Sequence, residues 1–513
     1  MHLAAPLRRH WVAIATAGLF LAAALLRFYR VDESVHVDSF HWFRRSHRFW
    51  DALAAGDLAG TRLAPHPGVI MMWVAGGVMK LNGSFARELI DEQSLFALKF
   101  LGALVGALAA SLTFPLLLAI TGQRAWRPAF LVAVLLTTEP QLLEQSRLAH
   151  LDMAALGFAW LGLLVSLVAY ERSSYRWALG AGALFGLGVL TKLAIAPIPA
   201  GLMMILLGAS LSSRLRDRRG LWVALWATLA TIVVVFLLWP AMWQAPIETL
   251  KYVATTSEQV AEAGHPSTFG GRRTKDPGVA FYVQVLLSAT PYELGLAAVL
   301  GLGTIWLLKD LRKHYGWLAL AFIPYVVVIC LVKKKLTRYV LPVSVPLVVL
   351  ASAGLEWLLR RVPLQSPRLE AVSVALLVLF TGGRTAQAMS SLPSAVHCAE
   401  WPGITCGRPP DRYFLRDLAK AMAGDWRERK GEGTPRVFGG VPKLTEPWLH
   451  TKTAKSPGAA DYIVLWDADY TDPQGTKLSK KMKRKLRKVK LGKELATVRH
   501  DGAFVVRVFA APR

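Results

Sequence analysis

The sequence predicts an α-helical polytopic membrane protein of about eleven spans, closed by a small C-terminal α/β domain. Composition is the first reason. Of 513 residues, 54% are hydrophobic and only 18% are charged, whereas soluble domains run at about 45–50% apolar and about 25% charged. The second reason is a series of apolar runs, and the third is the side of the membrane on which basic residues fall. A net charge of +26, from 60 Lys and Arg against 34 Asp and Glu, suits a nucleic-acid partner, but Lys and Arg also accumulate on the cytoplasmic loops of membrane proteins. Three cysteines are too few for a disulfide scaffold or a cysteine-rich metal domain.

A helix that crosses a bilayer needs roughly 20 apolar residues. Such runs lie near 11–28, 95–121, 128–145, 152–170, 176–192, 194–210, 220–240, 281–307, 316–332, 339–358 and 369–386. The stretch from Gly68 to Leu81 is shorter, about 21 Å as a helix, and reads as a helix lying at the membrane surface. With a cytoplasmic N-terminus, the cytoplasmic loops then carry Arg8 and Arg9, Arg124 and Arg127, Arg172 and Arg176, the arginines at 214–219, Lys309 to Lys313, and Arg360 to Arg368. Every one of these loops is basic, as the positive-inside rule requires. Lys333, Lys334, Lys335 and Arg338 violate the rule, and a violation of this kind can mark function. The first span also resembles a signal peptide, with Arg8 and Arg9 before it and Ala22 to Ala24 within it; it is expected to stay uncleaved. No phosphate-binding loop and no fixed-period repeat is visible.

Composition changes after about residue 387, so residues 1–386 read as a transmembrane domain with outer loops at 29–94 and 241–280, and residues 387–513 as a separate small domain. The latter predicts a helix near 411–424, strands near 436–439 and 461–466, and a hairpin near 494–509. Parity of the spans puts it outside the cytoplasm, where Cys398 and Cys406 could pair. Cys330, inside a span, reads as a packing residue.

The outer loops carry the chemistry-bearing residues. Asp38 opens a stretch with Phe40, Phe43, Trp50 and Leu53 at helical spacing among Arg44, Arg45 and Arg48, the pattern of a basic amphipathic helix at a membrane interface; a solvated loop is the plainer reading. Asp152 begins a span, where a helix dipole alone would favour it. Lys192 falls between two closely spaced apolar runs, so it is either functional or snorkels to the interface. The loop 241–280 holds Trp243, His265, Gly270, Gly271, Arg272, Arg273 and Lys275, with Tyr282 following. Outer-face cations suit a lipid-linked phosphate or diphosphate, or merely anionic head groups.

In order along the chain, these pieces are similar to the GT-C glycosyltransferases, in particular the glycosyltransferase 39 family with its protein O-mannosyltransferase and aminoarabinose transferase relatives. The resemblance rests on Asp38 in a large outer loop after the first span, Pro65-His66-Pro67-Gly68 leading into a short helix, Ser146-Arg147 through Asp152, Leu190-Thr191-Lys192, Phe269-Gly270-Gly271 with Tyr282, and Lys335, Arg338, Tyr339 and Pro342. It covers about residues 10–360. Two departures stand out: Ser39 replaces the family's common Glu after the first Asp, and Gly68 replaces a second Pro.

The resemblance implies a GT-C-like fold and transfer of a sugar, hexose or pentose, from a polyprenyl-phosphate carrier to an acceptor on the outer face, usually with inversion. Membership would place the chain in the inner or plasma membrane of a bacterium, its site facing the periplasm or exterior. An acceptor hydroxyl needs a base, and a carboxylate can supply one; Asp38 is the expected base. Asp152 is expected as a second catalytic carboxylate that orients the acceptor or the first helix. Cations favour the departing phosphate, so Arg147, Lys192, Arg272, Lys335, Arg338, Tyr339 and His66 are expected to bind substrate. No cofactor is implied with certainty; a divalent metal ion is left open, with His66 and His265 as its candidate ligands. The expected partners are the polyprenyl-phosphate sugar, a lipid, glycan or protein acceptor, and membrane lipids, with no nucleic acid. The alternative is a transporter or flippase of a lipid-linked substrate, which would be expected to show internal repeats and midplane charges.

The closing domain carries one further motif. Between Lys477 and Lys493 the sequence reads KLSKKMKRKLRKVKLGK. Leu478, Met482, Leu486 and Val489 recur every three or four residues, one face of a basic amphipathic helix. Anionic lipid, an anionic glycan, or simple packing by that stripe would each account for it.

Overall fold

The computed structural model describes residues 5–29, 31, 37–86, 90–122, 125–213, 217–265, 267–269, 272–361, 414–429, 434–438, 452–455, 459–466, 478, 480–487, 489, 491–500 and 503–511. Among the described residues, seventeen α-helices precede the last domain. They are α1 (Ala5–Phe28), α2 (Val37–Ala54), α3 (Val69–Leu81), α4 (Glu92–Thr121), α5 (Trp126–Thr138), α6 (Pro140–Ser146), α7 (Asp152–Arg172), α8 (Tyr175–Thr191) and α9 (Pro197–Ser212), then α10 (Arg219–Leu238), α11 (Ala241–Gln244), α12 (Pro246–Glu262), α13 (Ala280–Ala289), α14 (Tyr292–Thr304), α15 (Arg312–Leu320), α16 (Ile323–Leu331) and α17 (Leu341–Arg361). A small antiparallel ribbon, β1 (Ser267–Phe269) with β2 (Arg272–Thr274), sits between α12 and α13.

Among the described residues, seven helices are long and apolar enough to cross a membrane, or eight when the bent pair α13–α14 counts as one span. Ten of the eleven expected spans fall on helical segments; the eleventh, 369–386, lies outside the described residues. α15 and α16 run on as one 20-residue span across a turn, but two expected spans are sharply broken, and proline is the reason in both. At Glu139-Pro140 the chain turns extended (φ −61°, ψ 121°) and α6 starts anew, with the Glu139 carboxylate accepting from the Leu142 N–H at 2.6 Å. At Thr290-Pro291 the chain again turns extended, and the helices on either side meet at 115°. The residue before a proline is driven out of the helical region, and proline itself suits the first helical turn.

The chain divides into two compact units. One contains residues 44–77 and most of the bundle from residue 98 onward; the other contains residues 30–43 and 78–97 together with the segments beyond residue 410. In the first, α7 is the central helix, with 94% of its apolar window buried. By contrast, α10 exposes Leu225, Leu229, Ile232, Val233, Phe236 and Leu237, the apolar surface expected of a helix facing lipid. Close packing rests on small residues. A side chain at Gly182 of α8 would collide with the Ala227 carbonyl of α10, and one at Gly301 of α14 with the Leu350 carbonyl of α17; such close backbone approach is how helices associate without a hydrophobic drive between them. The stripe on α2 is placed differently from the sequence expectation. Phe40, Trp42, Phe43 and Phe49 are buried in protein. Phe49 and Trp50 stack edge-on against Trp73 of α3, and the Trp50 indole donates to the Met72 carbonyl at 3.1 Å. In α3, Val69, Met71, Met72 and Ala75 are fully buried too.

The second unit holds α18 (Phe414–Glu428), β3 (Arg436–Phe438), β4 (Lys452–Thr453), β5 (Tyr462–Trp466), α19 (Lys480–Lys485), β6 (Glu494–His500) and β7 (Ala503–Ala510). The sheet order is β4-β3-β5-β7-β6, with β3 parallel to β4 and β5, and β7 antiparallel to β5 and β6. β5 reads YIVLW, and all of Tyr462 to Leu465 are buried; a strand covered on both faces has this continuous apolar pattern. On one face the Tyr462 hydroxyl reaches the Met422 carbonyl at 3.1 Å and the Asp425 carboxylate at 3.0 Å, and its ring meets Trp426 of α18. On the other, Ile463 and Leu465 pack with Phe509, Met482 and Leu486. The domain is therefore layered helix, sheet, helix; α18, β3, β5 and the β6–β7 hairpin lie within a few residues of where the sequence puts them, and the edge strand β4 is additional.

Candidate active site

Three chain breaks build the polar centre at one end of the bundle. The turn after α6 ends at His150, and Asp152 starts α7. At the end of α8, Lys192 leaves the helix in an extended conformation (φ −155°, ψ 113°) while its N–H still bonds the Gly188 carbonyl. The short 3-10 turn Thr337–Val340, which opens α17, presents Arg338 and Tyr339. These converge. Lys192 Nζ lies 2.5 Å from Asp152 Oδ1, and the two side chains are only 8% and 10% exposed. Arg338 Nε is 3.8 Å from Asp152 Oδ2, and Arg338 Nη1 is 3.4 Å from His150 Nε2. The Lys192 ammonium also sits 4.9 Å from the Tyr339 ring centroid, a cation–π contact. Tyr325 fixes the Tyr339 backbone by donating to its carbonyl at 3.0 Å.

The Pro65-His66-Pro67-Gly68 loop closes on this centre. The Gly68 N–H bonds the carbonyl of Thr191, the residue before Lys192, at 3.2 Å. Gly68 has φ +61°, which the proline ring forbids and a residue without Cβ adopts freely. That geometry accounts for a glycine at this position and excludes a proline. Burial, then the Lys192, Lys334 and Arg338 cations, push His66 down to about 4, against the pull of Asp152. His66 is therefore neutral near pH 7, and its buried Nδ1 has no hydrogen-bond partner among the described residues. Lys192, Arg338 and His150 thus gather about Asp152, with His66 close enough to feel their charge.

Other expected site residues have different occupations. Lys335 is 2% exposed, and its ammonium donates to the carbonyls of Ile329 (3.2 Å), Cys330 (2.9 Å) and Val332. It closes the end of α16, where the last carbonyls lack helical partners, so the structure assigns it a capping role in place of the expected phosphate contact. Arg147 is fully buried and donates to the Tyr29 carbonyl at 2.6 Å, which ties it to the end of α1. Arg272 stands on β2 opposite Phe269. The His265 backbone N–H donates to the Lys275 carbonyl, and burial with Lys334 and Arg338 lowers the imidazole pKa. Asp38 occupies the first turn of α2, half-buried.

The two histidines expected as metal ligands do not fit a metal. Lys334 and Arg338 act on both, and cations repel a divalent ion where carboxylates would attract it. No group of three His, Cys, Asp or Glu able to hold one occurs among the described residues. His150, which meets Arg338, and Lys334, which acts on His66, were not among the expected site residues. The signal for His150 was present, since it is a polar residue two positions before Asp152 at the boundary of two apolar runs.

Fold and site together define an integral membrane protein with a cation-rich centre at one end of its bundle. Residues 70–239 match the family model of the dolichyl-phosphate-mannose-protein mannosyltransferases. The oligosaccharyltransferase of Archaeoglobus fulgidus, tethered to an acceptor peptide, has a similar fold (TM-score 0.51, 12% identity, 98% of this chain and 74% of that one). Its apo form gives TM-score 0.50 at 13% identity, over 90% and 70% of the two chains. ArnT of Cupriavidus metallidurans bound to undecaprenyl phosphate gives TM-score 0.47 at 15% identity, over 96% and 97%. No curated protein sequence matches the chain. The chain thus resembles the GT-C superfamily of glycosyltransferases, and at these identities its likeness to the solved structures is one of fold.

Proposed function

We propose that the protein is a membrane glycosyltransferase that takes a sugar from a polyprenyl-phosphate carrier and moves it, with inversion, to an acceptor on the outer face of the membrane. The observation that carries this reading is the convergence of Lys192, Arg338 and His66 about Asp152. Lys192 and Arg338 meet that carboxylate, Lys334 and both of them act on His66, and His66 itself is held neutral. Lys and Arg side chains gathered at one site suit the oxygens of a phosphate, which accept charge-assisted hydrogen bonds. As the glycosidic bond breaks, charge grows on the leaving phosphate oxygen, so cations placed there stabilise the transition state more than the ground state.

Asp152 then serves to orient Lys192 and Arg338 toward the phosphate. Asp38 is the base that takes the acceptor proton as its oxygen attacks the sugar carbon from the opposite side. The match to mannosyltransferases that use a dolichyl-phosphate sugar supports the choice of donor. The test is a purified-protein assay with a polyprenyl-phosphate sugar and a cell-envelope acceptor fraction. The expected result is release of polyprenyl phosphate with labelled sugar on the acceptor, lost in Asp38→Asn although that variant still inserts. Movement of the intact carrier across a vesicle membrane without sugar release would instead establish a transporter.

A further inference from the structure

The basic run of the last domain contains ten Lys and Arg and no acid between Lys477 and Lys493. As an isolated sequence it reads as an amphipathic helix that would bury its apolar stripe in a bilayer. The structure removes that possibility. Met482 and Leu486 are buried in the domain's own core with Ile463, Leu465 and Phe509, and Leu478, Val489 and Leu491 pack against the same cluster. Met482 and Leu486, the centre of the stripe, are therefore not available to insert. The fully exposed residues described between Leu478 and Val489 are all cations: Lys483, Arg484, Lys485 and Arg487. Holding four like charges side by side is unfavourable without a partner of opposite sign.

We propose that this ridge docks electrostatically, without insertion, on a bilayer surface rich in anionic head groups, and so fixes the last domain against the membrane. The domain is covalently continuous with the spans, so a lipid surface is always within its reach at high effective concentration. A diffusing anionic polymer has no such advantage. Basic segments gain attraction to an anionic leaflet with each Lys or Arg near the surface, and the attraction falls off within a Debye length.

Amine footprinting of the full chain in lipid nanodiscs tests this. An uncharged lysine-reactive label is applied in phosphatidylcholine discs and in discs containing phosphatidylglycerol, and modification of each lysine is read by mass spectrometry. Lys483 and Lys485 are expected to label at least about threefold more slowly in the anionic discs, with the difference erased at 0.5 M salt, as about a 4 Å screening length implies. Lys420, exposed on α18 across the sheet, should label alike in both discs. In Lys483→Gln/Arg484→Gln/Arg487→Gln, which keeps Met482 and Leu486, the protection of Lys485 should vanish. Equal labelling in both discs would overturn the proposal, as would protection that appears only when a soluble acidic polysaccharide is added, which would make the ridge a glycan site.

Discussion

At the first residue of α7, one carboxylate, Asp152, is surrounded by Lys192 and Arg338, with Lys334 acting on the neighbouring His66. At the last turn of the same helix, Glu171 pairs with Lys313 at 2.7 Å and His314 at 2.9 Å. Nearby, Asp217 holds Arg219 through two guanidinium contacts, Asp310 holds Arg360, and Glu356 holds Arg127 and Arg360. The second set contains four carboxylates and four Lys or Arg, and most of it is a quarter to a half exposed. In the first, Lys192 and Asp152 are only 8% and 10% exposed and Arg338 is 27% exposed. Solvated pairs contribute little each, whereas a buried pair is costly to break. A count of ion pairs alone would not separate the two ends; the burial of the Lys192–Asp152 pair does.

The sharpest way to break the contrast is Lys192→Ala. It leaves the Asp152 carboxylate buried beside a vacancy, which costs about 3–5 kcal/mol when a buried pair loses one member. It also removes a proposed phosphate contact, worth about 2.7–4 kcal/mol or 100-fold or more in transfer rate. The paired change Asp152→Asn/Lys192→Met should recover thermal stability and leave transfer absent. Recovery of both would make the pair purely structural. Next comes Lys335→Met, which strips the end of α16 of its donor and should lower stability by about 1–3 kcal/mol while the KM for the lipid carrier stays unchanged.

His66 sharpens the comparison through pH. Its folded value of about 4 lies below its ordinary 6.5, so the neutral imidazole favours the folded state above pH 6.5, and that contribution disappears as pH falls through about 4. NMR of labelled histidine should show His66 protonating near 4; a midpoint near 6.5 would remove the surrounding cations from the account. The smallest effect belongs to the solvated pairs. Asp217→Asn should cost less than about 1 kcal/mol, as exposed pairs do, and leave transfer as it was in the same assay.

Much of this was legible in the sequence, for identifiable reasons. Spans, the hairpin at the C-terminus and the β5 strand follow from hydrophobic periodicity, which packing reinforces. Lys192 and Asp152 could be chosen because a charge at the edge of an apolar run has few places to go. The breaks at Pro140 and Pro291 were signalled by the prolines themselves but were hidden inside otherwise continuous apolar runs. The choice between Lys334 and Lys335 was not legible at all. Adjacent residues of one loop point apart, and only the carbonyls at the end of α16 decide which lysine turns inward. The fate of α2 was equally hidden, because a stripe of Phe and Trp looks the same whether lipid or Trp73 will cover it.

The most direct measurement is binding of polyprenyl phosphate to the full chain, compared with the uncharged polyprenol. Native mass spectrometry of the wild-type protein and of Arg338→Ala would supply it. The account predicts that the phosphate binds in preference to the alcohol and that Arg338→Ala erases most of that preference. Equal retention of phosphate and alcohol by the wild type, or a preference untouched in Arg338→Ala, would contradict the claim that the Asp152 centre holds a lipid-linked phosphate.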